Sequence, residues 1–412
     1  MVAQATFVRG GVADRPGVRT PRRSDTGPPG PEPGRVRPAP AKGAGGSATV
    51  LLIGETRGLV SRVAWSLPAE LCDRHIVIGP GSLGLLRLAA RCMGHLRIDL
   101  DDRGAAAFQS FAAALIGAGE VVVALAADEA GIRFLCRTPV EGMICAPHPG
   151  PAVVADFCDK SAFFATCKRL GVRTPNTVAY RDKAAIDCRA VASRFAYPLI
   201  VKPATGTMSI GVVKVQSEAE LKASVIDNPV YDFGPVLLQD FIAGADIGIS
   251  VFAIDGTILH HAVQMRNRHT IAFLRDETLL DATRVLMRDC SYTGLANIDA
   301  RRDPHGDVYL LECNPRPWGS ITAPTWCGLN FVRASLMFAL GQPNDVPRSI
   351  ADCSTPGAWQ RVKSILRNPR TWNRLAADQK RTLESAAWLA IFDGQEAVAR
   401  IADRVRFRQP HR

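Results

Sequence analysis

Residues 294–320, GLANIDARRDPHGDVYLLECNPRPWGS, constrain the fold more tightly than any other stretch of the chain. Two short apolar runs, Ala296–Ala300 and Val308–Cys313, flank a polar turn around Pro304, His305 and Gly306, the pattern of an antiparallel hairpin. A hairpin folded about residues 305 and 306 sets Asp299 opposite Glu312. Facing residues project to one side of a sheet with Cβ atoms ~4.5–5.5 Å apart. Asn314, two residues past Glu312, shares that side if the strand continues. Like charges facing one another destabilise a sheet unless a cation compensates them, and two carboxylates with an amide form a hard-oxygen set that suits Mg²⁺. A register slip of one residue would instead turn Asp299 away and leave a solvated hairpin end.

The rest of the chain must accommodate that hairpin. At 412 residues and 44.3 kDa it has room for two or three domains, and 47% hydrophobic with 22% charged residues is ordinary globular composition. The formal charge of +11 suggests nucleic acid until it is partitioned. Residues 1–47 carry a net +5, residues 359–412 a net +7, and the body between them a net of −1. Nucleic-acid or membrane-surface binding through the basic ends would call for interleaved aromatics, and residues 1–47 contain only Phe7. No run of eighteen apolar residues is present, and the head has no apolar core of a secretory signal. Eleven cysteines without a Cys-x-x-Cys argue against structural zinc or iron–sulfur clusters. Cys145 and His148 have ligand-like spacing but no second pair, so the cysteines read as reduced, mostly buried apolar residues of a cytoplasmic protein.

Residues 1–47, rich in Pro, Gly and Arg, have too little apolar surface to offset their ordering entropy and are expected to be disordered. The fold starts at Ala48, where Thr49–Ile53 reads as a buried strand entering a glycine-containing turn. Gly54 and Gly58 do not fit Gly-x-Gly-x-x-Gly, so fold punctuation is the better reading than a phosphate loop. The later segments HIVIGPGS and EVVVALAAD continue a strand–helix alternation expected of a small parallel α/β unit. A second unit opens near Asp156 with a helix over 160–171 that sets Phe163, Phe164, Cys167 and Leu170 on one face and stops at Gly171. Strands follow at Pro198–Lys202, Val212–Val215, Val236–Gln239, Ile247–Ile254 and Thr257–Val263, and Asp255-Gly256 signals a tight hairpin. Trp359, Trp372 and Trp388 lie in a helical tail with a basic outer face.

Lysine is scarce, nine against forty-one arginines, so each departs from a local preference for arginine. Lys202 ends the strand PLIVKP just before the loop ATGTMSIG, and Lys160 opens a helix after Asp159. A strand-end lysine beside a Gly/Ser/Thr loop can bring an ammonium and backbone N–H groups onto phosphate oxygens, although either lysine alone could be a solvated surface residue.

Lys160, Lys202-Pro203, the loop Gly206–Gly211, the strand LLQDFI, Asp246, Asp299 and Glu312-x-Asn314-Pro315-Arg316 occur in the order and spacing of the ATP-grasp superfamily. The chain most resembles its carbamoyl-phosphate-synthetase-like, carboxylate–amine ligase branch over roughly residues 49–340. The resemblance implies an α/β fold, α+β in the grasp part, with a Rossmann-like pre-ATP-grasp domain at 48–150 and an ATP-grasp domain at 151–345. Within the latter, a lid subdomain spans about 195–242 and a catalytic subdomain about 243–345, and a basic helical extension covers 346–412.

It further implies roles for individual residues. Lys160 and Lys202 contact ATP phosphates, and the loop with Thr205, Gly206, Thr207, Ser209 and Gly211 closes over them. Gln239, Asp240, Phe241 and Ile242 resemble the adenine hinge, and Asp246 falls where a ribose-binding glutamate is usual. Asp299, Glu312 and Asn314 match the magnesium ligands, and Arg316 an arginine that steadies the transferred phosphoryl group. Arg266 and Arg268 could pair with a substrate carboxylate or belong to a solvated basic loop. Trp318 lines the pocket or packs beneath it, and packing is the better reading. The expected cofactors are ATP and two Mg²⁺ ions, with Mn²⁺ as a substitute; the expected partners are a small carboxylate and an amine, without nucleic acid or membrane, in a homodimer. Bicarbonate activation and a nucleotide-binding pseudoenzyme are the alternative functions.

Overall fold

The computed structural model describes residues 48–356 apart from 73, 89–91, 207–208 and 268–269, together with scattered residues between 363 and 380. The expected disordered head, most of the expected helical tail, Thr207 and Arg268 lie outside the described residues. All described residues belong to one unit, Arg37–Arg412.

Strand β1 (Thr49–Ile53) is buried at every position, as a strand covered on both faces must be. Helix α1 (Arg57–Ser66) leads to β2 (Arg74–Gly79) and β3 (Cys92–Arg97), which extend the sheet to one side. Helix α2 (Asp102–Gly117) then carries the chain to β4 (Val122–Ala126) on the other side of β1, followed by α3 (Glu129–Arg137) and β5 (Ile144–Cys145). The five strands are parallel, in the order β3-β2-β1-β4-β5, so the expected parallel α/β unit is present. The winding reverses between β1 and β4, and a crevice opens beyond their carboxyl ends.

One buried side chain ties the two loops of that crevice together. Asp128, 1% exposed, caps α3 by accepting from the Gly131 N–H at 2.9 Å. Its other oxygen accepts from the N–H groups of Glu55 and Thr56 at 2.7 Å each, fastening the β1–α1 turn. A Cβ at Gly54 would meet Asp128 Oδ2 at 2.9 Å and Val60 Cγ2 at 2.8 Å, so this glycine serves close packing. Asp128→Ala leaves three amides without their acceptor and is expected to cost about 2–4 kcal/mol, read as a lowered melting temperature. Asp128→Asn, with one acceptor oxygen, should lose less.

Helices α4 (Pro151–Cys158) and α5 (Lys160–Arg169) lead into the second part. The Asp159 carboxylate caps α5, Phe163, Phe164 and Cys167 are buried, and Gly171 stops the chain at φ +69°, matching the expected helix. A small antiparallel sheet follows, made of β6 (Thr177–Tyr180), β7 (Leu199–Pro203) after α6 (Cys188–Arg194), β8 (Val213–Val215), and β9 (Val236–Asp240) after α7 (Glu218–Leu221). Its order is β6-β9-β7-β8, so the sheet reaches back to Thr177, upstream of the expected start near 195. Strand β6 has too little sequence contrast to announce itself, and only pairing with β9 makes it part of the sheet.

The large sheet begins with β10 (Ala245–Ile254) and β11 (Thr257–Arg266), joined at Asp255 and Gly256 with φ of +45° and +78°. Positive φ at both central residues is the tight hairpin geometry expected there. Strand β12 (Thr270–Leu274), helix α8 (Glu277–Asp289), β13 (Gly294–Arg302), β14 (Val308–Asn314), helices α9 (Thr322–Trp326) and α10 (Phe331–Ala339), and β15 (Cys353–Pro356) complete it. The order is β14-β13-β10-β11-β12-β15. Strand β15 is a departure from the expected helical extension: it lies beyond residue 345 yet pairs with β12.

One face of this sheet packs on α5 and α8 through Phe163, Ile249, Ile298, Leu279 and Met287. Its other face joins α10 and α1 through Phe252, Phe331, Val60 and Val63, which seats the amino-terminal sheet against the large sheet. Trp318 belongs to that core, 3% exposed and edge-on to Phe331 at 5.2 Å, so packing is its role. The eleven cysteines are all free thiols, but only Cys72, Cys167 and Cys313 are fully buried. Most of the others are half-buried near element ends, fewer in the core than expected from their apolar character.

Candidate active site

The carboxylate hairpin forms with a refinement that counting residues could not supply. Asp299 faces Glu312 and Asn297 faces Asn314. Nearer the turn, Ala300 faces Leu310 and Arg302 faces Val308, so the hairpin pivots on His305 and a bulge at Leu311 restores the Asp299–Glu312 pairing. The bulge leaves the Leu311 carbonyl outside the ladder, and Lys202 Nζ donates to it at 3.3 Å.

Both lysines are buried at this point, Lys160 at 7% and Lys202 at 6% exposure. Lys160 Nζ lies 3.4 Å from Glu312 Oε2 and donates to the Gly206 carbonyl at 3.0 Å, bridging the carboxylate and the glycine loop. Lys202 Nζ also sits 5.0 Å from the centre of the Phe164 ring. Burial, helped by the Lys160 charge, lowers the Lys202 ammonium to about 8 although Glu312 opposes the shift. Burial first, then the Glu312 charge, raises the Asp299 carboxyl well above the carboxylate range; the residue keeps some surface on the cleft but is otherwise enclosed by protein.

A polar platform orients Asp299. Asn297 Nδ2 donates to Asp299 Oδ1 at 2.9 Å, while Asn297 Oδ1 accepts from Ser250 Oγ at 3.0 Å and Gln264 Nε2 at 3.3 Å. Ser320 Oγ donates to Gln264 Oε1 at 3.3 Å. Gly248 lies between Gln264 and Asp299 in the strand register and keeps that row open. Arg266, two residues along the same face, lowers the Asp299 carboxyl against the larger effect of burial, so its charge reaches the carboxylate pair.

The crowding of two carboxylates is itself the test of metal fit, since the pair remains ionised at little cost only beside a cation. Among the described residues no cluster of three or more His, Cys, Asp and Glu could hold a metal by itself. Two carboxylates and Asn314 instead suit Mg²⁺, which fills its shell with phosphate oxygens and water.

The loop after β7 returns at Gly206 with φ +114° and Gly211 with φ +73°, and the buried Tyr231 hydroxyl donates to the Gly211 carbonyl at 2.9 Å. Thr205 and Gly206 line the same cavity as Lys160, Glu312 and Asn314; Ser209 stands at the loop's exposed tip with φ +58°. At the far end of the cleft, β9 is paired on both sides, so Gln239 spends its backbone within the sheet and the Asp240 N–H donates to the Asn176 carbonyl. The Gln239 side chain donates to Thr177 Oγ1 at 2.9 Å, and Phe241 and Ile242 continue beyond the strand end. Lys214 Nζ lies 3.5 Å and the Arg301 guanidinium carbon 5.2 Å from the centre of the Phe241 ring. Asp246 is exposed and accepts from Arg301 Nη1 at 2.7 Å.

Residues 232–356 match a family described as ATP-grasp in the biosynthetic pathway with Ter operon, and residues 167–288 match one described as the D-ala D-ala ligase C-terminus. Over residues 167–356 the chain is therefore similar to ATP-grasp ligases. A D-alanine–D-alanine ligase of Pseudomonas entomophila is 28% identical over 190 residues, which is 42% of this chain and 59% of the relative. The chain thus spans about three fifths of the length of that curated relative. The ADP complex of an N5-carboxyaminoimidazole ribonucleotide synthetase superposes with a TM-score of 0.58 over 85% of this chain and 98% of that one, at 15% identity. An N5-carboxyaminoimidazole synthetase from Staphylococcus aureus gives 0.54 over 73% and 79%, also at 15% identity. At such identities the likeness is one of fold.

Residues outside the sequence motifs line the same cavity. A cavity of about 350 Å³ beside the carboxylate pair is lined from the amino-terminal sheet by Glu55, Thr56, Glu129 and Arg133, and from the grasp part by Lys160, Gly206, Glu312 and Asn314. Burial, then the Asp128 and Asp99 charges, raises the Glu55 carboxyl. Arg316, 5% exposed, lies with Nε 2.9 Å from Glu129 Oε1 and donates from Nη1 to the Pro317 carbonyl at 2.9 Å. The strand order, with its reversal beside β1, is the signal that could have pointed to Glu55 and Glu129. For Asn297 and Gln264 the signal was alternation with Asp299 and Arg266 on one sheet face.

Proposed function

We propose that the protein is an ATP- and Mg²⁺-dependent ligase that joins a small carboxylate to an amine through an acyl phosphate and releases ADP and phosphate. The observation that carries this reading is the convergence of two buried lysines on the Asp299–Glu312 pair beside the glycine loop. When bound, Mg·ATP supplies the phosphoryl group and the metal charge that the paired carboxylates require. Lys160 and Lys202 neutralise phosphate oxygens, and Asp299, Glu312 and Asn314 hold two Mg²⁺ ions, or Mn²⁺ in their place. Thr205, Gly206, Thr207, Ser209 and Gly211 exclude water so that the activated substrate is not hydrolysed. Gln239–Ile242 and Asp246 frame the nucleoside, with Phe241 and Arg301 as part of that frame.

Arg266 and Arg268 stand for the substrate carboxylate, while Arg316 steadies the phosphoryl group. The 350 Å³ cavity, at the small end of ligand sites, suits substrates of amino-acid size, with Glu55 and Arg133 offering opposite charges to a zwitterion. A cytoplasmic homodimer with a pre-ATP-grasp domain over 48–150 and a catalytic grasp domain over 151–345 completes the reading. No described helix is long and apolar enough to cross a membrane.

The test is phosphate release from Mg·ATP with pools of amino acids, other carboxylates, bicarbonate and amines. Turnover should require a carboxylate and an amine together, and Glu312→Ala should lower it at least a thousandfold while leaving the fold intact by circular dichroism. Turnover with bicarbonate alone, or undiminished turnover in the variant, would refute the reading.

A further inference from the structure

We infer that Glu129 is a positioning residue for phosphoryl transfer, reaching from α3 to hold Arg316 beside the cavity; this rests on the ligase reading above. Arg316 is almost fully buried, yet its own neighbourhood in β14 and the following turn offers it only the Pro317 carbonyl. The acid that balances its charge comes instead from the first turn of α3, with Glu129 Oε1 2.9 Å from Nε. That contact is an ion pair without hydrogen-bond alignment, since Nε has no hydrogen-bond partner. Charge rather than a directed bond is therefore what Glu129 supplies, and a neutral amide of the same shape could not replace it.

Both ends of the pair are fixed. Glu129 is the first residue of α3, directly after the capping Asp128 that also fastens the β1–α1 turn. Arg316 donates its N–H to the Asn314 carbonyl at 2.9 Å, which holds the turn just past Glu312 and Asn314. Glu129 also lines the cavity with Lys160, Glu312 and Asn314. In the transfer step a carboxylate oxygen forms a bond to the γ-phosphorus as the bond from phosphorus to the bridging oxygen breaks, and ADP leaves with that electron pair. Charge spreads over the equatorial oxygens, where a guanidinium held to one side of the cavity acts. Glu129 sets where that guanidinium sits and makes the step depend on the amino-terminal sheet being docked.

The test needs no knowledge of the substrates. Binding of Mg·ADP is measured by calorimetry with and without aluminium fluoride, which imitates the transferring phosphoryl group. Wild type should bind more tightly with the fluoride, and Glu129→Gln should lose at least tenfold of that gain while binding Mg·ADP alone within twofold of wild type. Glu129→Asp should recover part of the gain. In an Arg316→Ala background, Glu129→Gln should have no further effect, because it acts through that arginine. A Glu129→Gln protein with the full gain, a wild type with no gain, or additive losses in the double variant would overturn the proposal alone. Failure of the wild type to bind Mg·ADP at all would overturn the ligase reading and this proposal with it.

Discussion

Asp299→Asn is expected to raise the melting temperature of the nucleotide-free protein while lowering ATP turnover at least a hundredfold. In the wild type, Asp299 faces Glu312 across the hairpin, enclosed by protein and with its carboxyl raised by burial. The fold therefore disfavours its ionised form, and asparagine removes that cost while its side-chain oxygen can still accept from Asn297. Relief of facing like charges is worth about 1 kcal/mol, or on the order of 1 °C in a chain of this size.

The sign with pH follows from linkage. A carboxyl raised in the folded state destabilises it increasingly as pH climbs from the ordinary carboxylate range through the raised value. Below that range both states are protonated and the difference vanishes. The gain of Asp299→Asn over wild type in scanning calorimetry should thus be larger at pH 8 than at pH 4. Saturating Mg·ATP should reverse the order, since only the wild type gains full stabilisation from binding. A variant no more stable than wild type at pH 8 would mean that the facing carboxylates carry no strain.

Lys202→Met should weaken Mg·ATP on the order of a hundredfold, by loss of a charge-assisted contact to phosphate, while stabilising the apo protein. The methionine retains the contact with the Phe164 ring and removes an ammonium that is 6% exposed. Lys202 is lowered from its ordinary value of 10.5 to about 8, chiefly by burial. Between those values the unfolded chain holds a proton that the folded one has released, so wild-type stability rises with pH through that window. Phosphate needs the protonated form, so Mg·ATP affinity should fall above pH 8 by up to about tenfold per unit. Isothermal titrations at pH 7, 8 and 9 check both points. A wild type with flat affinity, or a variant that keeps the pH slope, would remove Lys202 from the phosphate site.

Much of this was legible in the chain itself. Val50–Ile53 is an unbroken apolar run because both faces of its sheet are covered, and Phe163, Phe164 and Cys167 recur at helical spacing because α5 buries one face. Asp255-Gly256 announced its turn because those residue types tolerate positive φ. Strand β6, strand β15 and the basis of the Glu129–Arg316 pair were not legible, since each depends on partners far away in sequence.

The carboxylate hairpin divides most sharply between the two levels. Sequence alone offered the pairing of Asp299 with Glu312 and left a one-residue slip open, because alternation along a strand has a period of two. Tertiary structure decided how: the hairpin pivots on His305, a bulge at Leu311 restores the pairing, and the carbonyl so released accepts Lys202 from the other sheet. A bulge is one extra residue with no composition of its own, stabilised by what its freed groups meet in space. Likewise the sequence named Arg316 as a cation of the site, but only the docking of α3 beside β14 provides the half-buried carboxylate that balances it.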